Sequence, residues 1–165
     1  MSAPPILDFA RFYSSDPEQK AALVDEVINC CLHNGFFQIT GHLVPLQLQS
    51  RVLQCSKRFF KQPLDEKRKV SKALTLNLSE NYFDEFTSGA VATMRLLHYP
   101  PQPADSDEKL SRGIGAHTDF GAITLLLQEE VDGLQVWDKE TQTWLDVIPT
   151  KGAYVVNLGN MFMKW

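Results

Sequence analysis

An α+β fold is predicted from a change of hydrophobic period along the chain. As far as Lys72, apolar residues recur at helical spacing between two short strand-like runs; from residue 91 onward they fall in short alternating stretches separated by turn residues. The change lies between Lys72 and Gly89. The chain is therefore divided into a helical N-terminal region, 1–88, and a β-rich region, 89–165, with the rhythm of a sandwich or barrel.

In order, residues 6–9 read as a short strand. Asp16 and Pro17 supply an N-cap and a first-turn residue for a helix with Val24, Val27, Ile28 and Cys31 on one side, ended by Asn34 and Gly35. Residues 36–40 read as a buried strand before Gly41, and 45–61 place Leu48, Val52, Cys55 and Phe59 at helical spacing. Residues 65–72 carry both charges and fit a short exposed helix with a solvated face. Strands are then expected at 91–99, 113–119, 122–128, 134–138, 143–148 and 153–158. A proline-rich surface loop, 100–112, and turns at 131–133 and 138–143 connect them.

With 165 residues, 44% of them hydrophobic, one core can be buried. A net charge of −4 without a basic stripe excludes the electrostatic footprint of a nucleic-acid binder. No secretory-signal pattern opens the chain and no apolar run approaches bilayer length, so a soluble protein of the cytoplasm with no membrane partner is expected. Cys30, Cys31 and Cys55 are odd in number and two are adjacent, which predicts buried helical thiols instead of disulfides.

Chemistry concentrates at His117-Thr118-Asp119. On a strand, side chains two apart share a face, so this imidazole and carboxylate can reach one metal ion. A third ligand would complete a two-His, one-carboxylate face and leave positions on iron(II) for a 2-oxo acid and dioxygen. The bare triplet is common by chance, and on an exposed strand it usually does nothing. Its company changes the balance: Gly113-Ile114-Gly115-Ala116 before it, then Phe120-Gly121-Ala122-Ile123-Thr124-Leu125-Leu126, Gly133-Leu134-Gln135-Val136, Trp144 and Val155-Val156-Asn157-Leu158-Gly159.

With those runs, and with Arg95-Leu96-Leu97-His98-Tyr99-Pro100-Pro101, Pro5-Ile6-Leu7-Asp8, Gly35-Phe36-Phe37 and Gly41-His42, the chain resembles the isopenicillin N synthase-like iron(II), 2-oxoglutarate-dependent dioxygenases. The likeness covers 94–165 closely and 5–72 more loosely. It implies a helical N-terminal region packed on an incomplete double-stranded β-helix (jelly roll). It also implies His117 and Asp119 as iron ligands and Tyr99 as a contact of the far carboxylate of 2-oxoglutarate. The reaction implied is oxidation of a small organic substrate with dioxygen, as hydroxylation, desaturation or ring closure, in specialised metabolism.

Parity places Arg95, Leu97 and Tyr99 on one face and His98 on the other, which makes His98 a poor substitute ligand. For Tyr99 a core aromatic with a satisfied hydroxyl is an equal alternative. His33 and His42 fit surface or capping roles. Phe120 fits the core better than a substrate pocket, and Trp137 and Trp144 are packing residues.

The sequence departs from the family pattern in three places. The family's second histidine ligand and its Arg-x-Ser co-substrate clamp follow the Asp further along, and the four histidines here are His33, His42, His98 and His117. Lys69-Val70-Ser71-Lys72 runs almost directly into 74–86, which resembles the end of a much later helix, so an internal segment is expected to be absent. Leu97 stands where many relatives have Asn. Two protein ligands hold iron(II) less firmly than three, and an incomplete barrel exposes strand edges through which the chain could self-associate. Alongside the oxygenase reading stand two others: a truncated, catalytically silent relative with a binding or regulatory role, and a fragment of a longer enzyme.

Overall fold

The computed structural model describes residues 4–68, 94–101 and 113–163. The chain forms two compact units, one of Met1–Gln49 with His117–Trp165 and one of Ser50–Ala116.

The first unit opens with β1 (Ile6–Asp8), a 3-10 helix (Phe9–Tyr13), α1 (Pro17–Leu32) and β2 (Phe36–Thr40). β1 and β2 pair in parallel, with Ile6 opposite Gln38 and Asp8 opposite Thr40, and α1 is the crossover that parallel neighbours require. The Asp16 carboxylate caps α1 by accepting from the Glu18 N–H at 2.9 Å, and Pro17 sits where a missing N–H costs nothing. At the other end the Gly35 N–H bonds the Cys30 carbonyl at 2.9 Å, with Gly35 at φ +70°, a left-handed conformation that glycine adopts without a Cβ penalty. The Arg11 guanidinium forks onto both carboxylate oxygens of Glu26 and ties the 3-10 helix to α1.

The second half of the chain contributes β3 (Ile123–Leu126), β4 (Gln135–Asp138), β5 (Thr143–Asp146) and β6 (Tyr154–Leu158). Strands from both halves share one sheet in the order β1-β2-β6-β3, with β6 antiparallel to both of its neighbours, while β4 and β5 form a separate antiparallel pair. Alternation along the sheet splits its side chains. Phe37, Ile39 and Val156 cluster with Leu7 and Leu23, against Val27, Cys30 and Cys31 of α1. Val155, Phe36 and Leu126 take the opposite face and meet Val136, Leu134, Leu145 and Val147 of the hairpin region. Each fully buried aliphatic side chain of this kind contributes about 1.5–3 kcal/mol.

Polar contacts join α1 to the hairpin. Asp138, 1% exposed at the end of β4, accepts from Thr141 Oγ1 at 2.5 Å, from Asn34 Nδ2 at 3.1 Å and from the Glu140 N–H at 3.2 Å. These bonds, the Thr141 hydroxyl first, hold its carboxyl below the usual carboxylate range despite burial. His42 joins the loop after β2 to residue 152: its Nε2 lies 2.7 Å from the Gly152 carbonyl and must donate, while Nδ1 accepts from the Val44 N–H at 3.1 Å.

The helix α2 (Leu46–Phe60) begins in the first unit, where the Gln49 amide also bonds the Gly152 carbonyl at 3.3 Å. In the second unit lie the rest of α2 and α3 (Leu64–Arg68), and the His98 ring stacks on Phe60 with centroids 5.1 Å apart.

Several expectations need correction. Residues 94–101 and 113–119 form no strand, and 91–93 lie outside the described residues. Pro100 and Pro101 offer no N–H to a ladder, Gly113 and Gly115 weaken a strand, and neither segment has a ladder partner among the described residues. Residues 69–72 of the charged helix also lie outside the described residues. The three cysteines are free thiols but only partly buried, and burial still pushes the Cys30 and Cys31 thiols up. Trp137 and Trp144 do pack, edge to face on each other at 5.3 Å, on the exposed side of the hairpin.

Candidate metal centre

His117 and Asp119 lie just before β3 in a segment without regular structure, yet their side chains converge. His117 Nε2 and Asp119 Oδ1 are 3.5 Å apart. Two donors each about 2.1 Å from a shared first-row metal ion can stand no more than about 4.2 Å apart, so one ion can bridge them. An imidazole nitrogen with a carboxylate oxygen is a donor set that suits iron(II). Both side chains reach solvent, at 50% and 32% exposure, so the ion would have access.

The other carboxylate oxygen is held from the sheet. Asp119 Oδ2 accepts from Thr124 Oγ1 at 2.5 Å and from Asn157 Nδ2 at 2.8 Å. Thr124 on β3 and Asn157 on β6 are directly opposed in the antiparallel register, which is why their donors meet at one atom. They stand on the same face as Leu126 and Val155, the side on which the hairpin packs.

The backbone of this segment is stitched to the end of β6 and to the short helix α4 (Asn160–Met163). The Asp119 carbonyl accepts from the Asn160 N–H at 2.8 Å, the Ala122 carbonyl from the Gly159 N–H at 2.8 Å, and the Gly121 carbonyl from the Met161 N–H at 3.3 Å. Gly159 is required by this approach, because a Cβ there would run into the Gly121 carbonyl.

Among the described residues no group of three or more His, Cys, Asp and Glu is placed to hold a metal, so this pair is the nucleus of the candidate site. Tyr99 belongs to the other compact unit, half exposed at 51%, with its ring against Gly113. His98 is engaged with Phe60, His42 with Gly152, and His33 Nδ1 with Glu140 Oε1 at 3.1 Å. Phe120, expected in the core, is 87% exposed, because its segment turns out from the sheet before β3 begins. A groove of about 300 Å³ between Gln128–Asp132 and Ile148–Lys151 includes neither His117 nor Asp119. In the sequence Thr124 and Asn157 are only members of longer runs. Their role depends on the β3–β6 register, which no local pattern encodes.

Comparison with known proteins follows the same line. Residues 4–114 match the family model described as non-haem dioxygenase in morphine synthesis N-terminal, and residues 90–165 match that of the 2OG-Fe(II) oxygenase superfamily. A 2-oxoglutarate-Fe(II) type oxidoreductase of Emericella nidulans, hxnY, is 41% identical, over 99% of this chain and 71% of the relative. That alignment runs over 249 positions against 165 residues here, so the relative carries stretches with no counterpart in this chain. The 2-oxoglutarate-dependent dioxygenase citB of Monascus ruber is 31% identical, over 92% of this chain and 73% of the relative. Among solved structures, a full-length Neurospora crassa protein in complex with alpha-KG and 5-formyluracil superposes with a TM-score of 0.75 at 21% identity, covering 97% of this chain and 73% of that one. The rice dioxygenase for auxin oxidation gives 0.73 at 22% identity, over 98% and 73%. At these identities the likeness shows the fold, α+β on a double-stranded β-helix.

Proposed function

Because this chain belongs to the 2OG-Fe(II) oxygenase superfamily, we propose that His117 and Asp119 are its iron ligands and that its substrate is a small organic molecule of specialised metabolism. Membership makes it a 2-oxoglutarate- and Fe(II)-dependent dioxygenase, with iron(II) as cofactor and 2-oxoglutarate as co-substrate. The observation that carries the ligand assignment is the 3.5 Å approach of His117 Nε2 to Asp119 Oδ1. Bound iron(II) supplies the oxidative decarboxylation of 2-oxoglutarate by dioxygen, with succinate and carbon dioxide as products and oxidation of the substrate.

What the chain itself does is orient two donors and keep one carboxylate oxygen toward the imidazole. The Tyr99 hydroxyl is the proposed partner of the far carboxylate of 2-oxoglutarate; its half-exposed ring leaves the hydroxyl able to meet a ligand. Three free cysteines support a reducing compartment, and we place the protein in the cytoplasm.

Anaerobic titration with iron(II), followed by succinate measurement after addition of 2-oxoglutarate and oxygen, tests the reading. Saturable binding at one ion per chain is expected, weakened more than about 100-fold in His117→Ala and Asp119→Ala, with succinate release lost in both. Equal binding by wild type and both variants, or no binding by wild type, would overturn the ligand assignment. Tyr99→Phe is expected to raise the KM for 2-oxoglutarate while iron(II) affinity stays unchanged; an unaltered KM removes Tyr99 from the site.

A further inference from the structure

Resting on the ligand assignment above, we infer that Thr124 and Asn157 are positioning residues that confine Asp119 to one metal-binding oxygen. A carboxylate oxygen has two lone-pair directions. At Asp119 Oδ2 the Thr124 hydroxyl, at 2.5 Å, and the Asn157 amide, at 2.8 Å, supply two donors, one for each. Chelation of an ion through both oxygens would therefore break one of these bonds. Oδ1, the atom turned to His117 Nε2 at 3.5 Å, is the oxygen that shares the proposed ion with the imidazole.

The two donors act as one device because of where they stand. Thr124 and Asn157 are a register pair across β3 and β6, and β6 lies between two paired neighbours in the four-stranded sheet. The amide orientation follows from chemistry: an ionised carboxylate only accepts, so Asn157 must present its NH2 to Asp119. The backbone bonds to Asn160, Gly159 and Met161 fix the height of the segment above the sheet, and the two side-chain donors fix the rotation of the carboxylate. Position and rotation of the ligand are thus set by different groups and can be altered separately.

Confinement to one oxygen has a consequence for the reaction. A carboxylate bound through a single oxygen takes one coordination position, whereas a chelating one takes two. The positions left open are those that 2-oxoglutarate and dioxygen need. Hydrogen-bond partners of metal ligands commonly carry about 10–100-fold in metal affinity, and here two such partners converge on one atom.

The test uses the full chain, cobalt(II) as the probe, and two readouts other than turnover: affinity by titration, and coordination number from the intensity of the visible cobalt absorption. Thr124→Val and Asn157→Leu remove a donor at nearly constant volume. Each is expected to weaken cobalt(II) binding about 10–100-fold and to shift the absorption toward higher coordination number as the freed carboxylate chelates. Thr124→Ser keeps the hydroxyl and is expected to restore both readouts, which loss of strand packing alone would not explain. Leu126→Ala, on the same strand and the same face, serves as the folding control: it should lower the melting temperature and leave the affinity of the folded protein in place. If wild type binds cobalt(II) and His117→Ala does not, but Thr124→Val and Asn157→Leu match wild type in affinity and spectrum, the positioning role is wrong and the ligand assignment survives. If wild type itself fails to bind, the ligand assignment falls and the positioning role falls with it.

Discussion

The strand-helix-strand unit of residues 6–40 and the segment from His117 to Leu126 belong to the same compact unit, yet they are held by different forces. The first is fixed by burial: Leu7, Leu23, Phe37 and Ile39 are withdrawn from water around one face of the sheet, with Val156 completing the cluster. The second buries little; Phe120, Ile123 and Leu125 are exposed, and residues 117–122 follow neither helix nor strand. Beyond the β3–β6 ladder, the described bonds that hold residues 117–122 are polar ones, among them those from the backbone at residues 159–161 and those from Thr124 and Asn157. Non-directional burial tolerates small displacement, whereas a pair of donors 3.5 Å apart does not, so the site is built from directional bonds on a scaffold made stable elsewhere.

If that division is correct, stability and metal affinity separate by mutation. Leu23→Ala empties the centre of the α1 cluster and should cost about 2–5 kcal/mol in urea unfolding, while the metal affinity of the remaining folded protein stays at the wild-type level. A matching loss of affinity would show that the two regions are coupled. Gly159→Ala reverses the proportions. Its methyl would press on the Gly121 carbonyl, costing about 1–3 kcal/mol, and the displacement passes directly to Asp119, so metal binding should fall well beyond what Leu23→Ala produces. Wild-type affinity in Gly159→Ala would mean that the close approach at residue 159 does not set the position of the ligand.

The same contrast explains what the sequence made legible. Asp16-Pro17 and Asn34-Gly35 mark the ends of α1 to within two residues, and 36–40 is the strand that its apolar run predicts, because capping and periodicity are local signals. The family likeness led to the jelly-roll fold, and spacing drew attention to His117 and Asp119, whose side chains approach to 3.5 Å. Residues 113–119 read as a strand in sequence because alternation is visible there and a missing ladder partner is not. Thr124 and Asn157 lie far apart along the chain, on strands separated by the whole β4–β5 hairpin, and meet only through register. That β6 pairs with β2 as well as β3 is hidden from the sequence for the same reason. Asp16→Ala probes the local side of this contrast. Loss of the cap should cost about 0.5–2 kcal/mol, measured by thermal or urea unfolding, with no effect on metal affinity; no change in stability would mean that α1 is fixed by packing alone.

The smallest expected effect lies where the two halves of the chain meet, at Asp138. Its folded pKa is depressed, first by the Thr141 hydroxyl and then by Asn34 and the backbone of Glu140, from an unfolded value of about 3.9. A depressed carboxylate binds fewer protons folded than unfolded, so its contribution is complete above the unfolded value. The contribution is lost as pH falls from there through the folded value. Glu26, lowered by the Arg11 fork, acts in the same direction. The difference in urea midpoint between wild type and Asp138→Asn should therefore be constant near neutrality and shrink below about pH 4 as the wild-type carboxylate takes up its proton. Since Asp138 joins Asn34 to the β4–β5 turn, that loss should loosen the hairpin end first, seen as earlier exposure of Trp137 and Trp144 by fluorescence. Parallel pH profiles for the two proteins would show that the buried carboxylate is held by shape and not by charge, and would move this junction to the side of the comparison governed by burial.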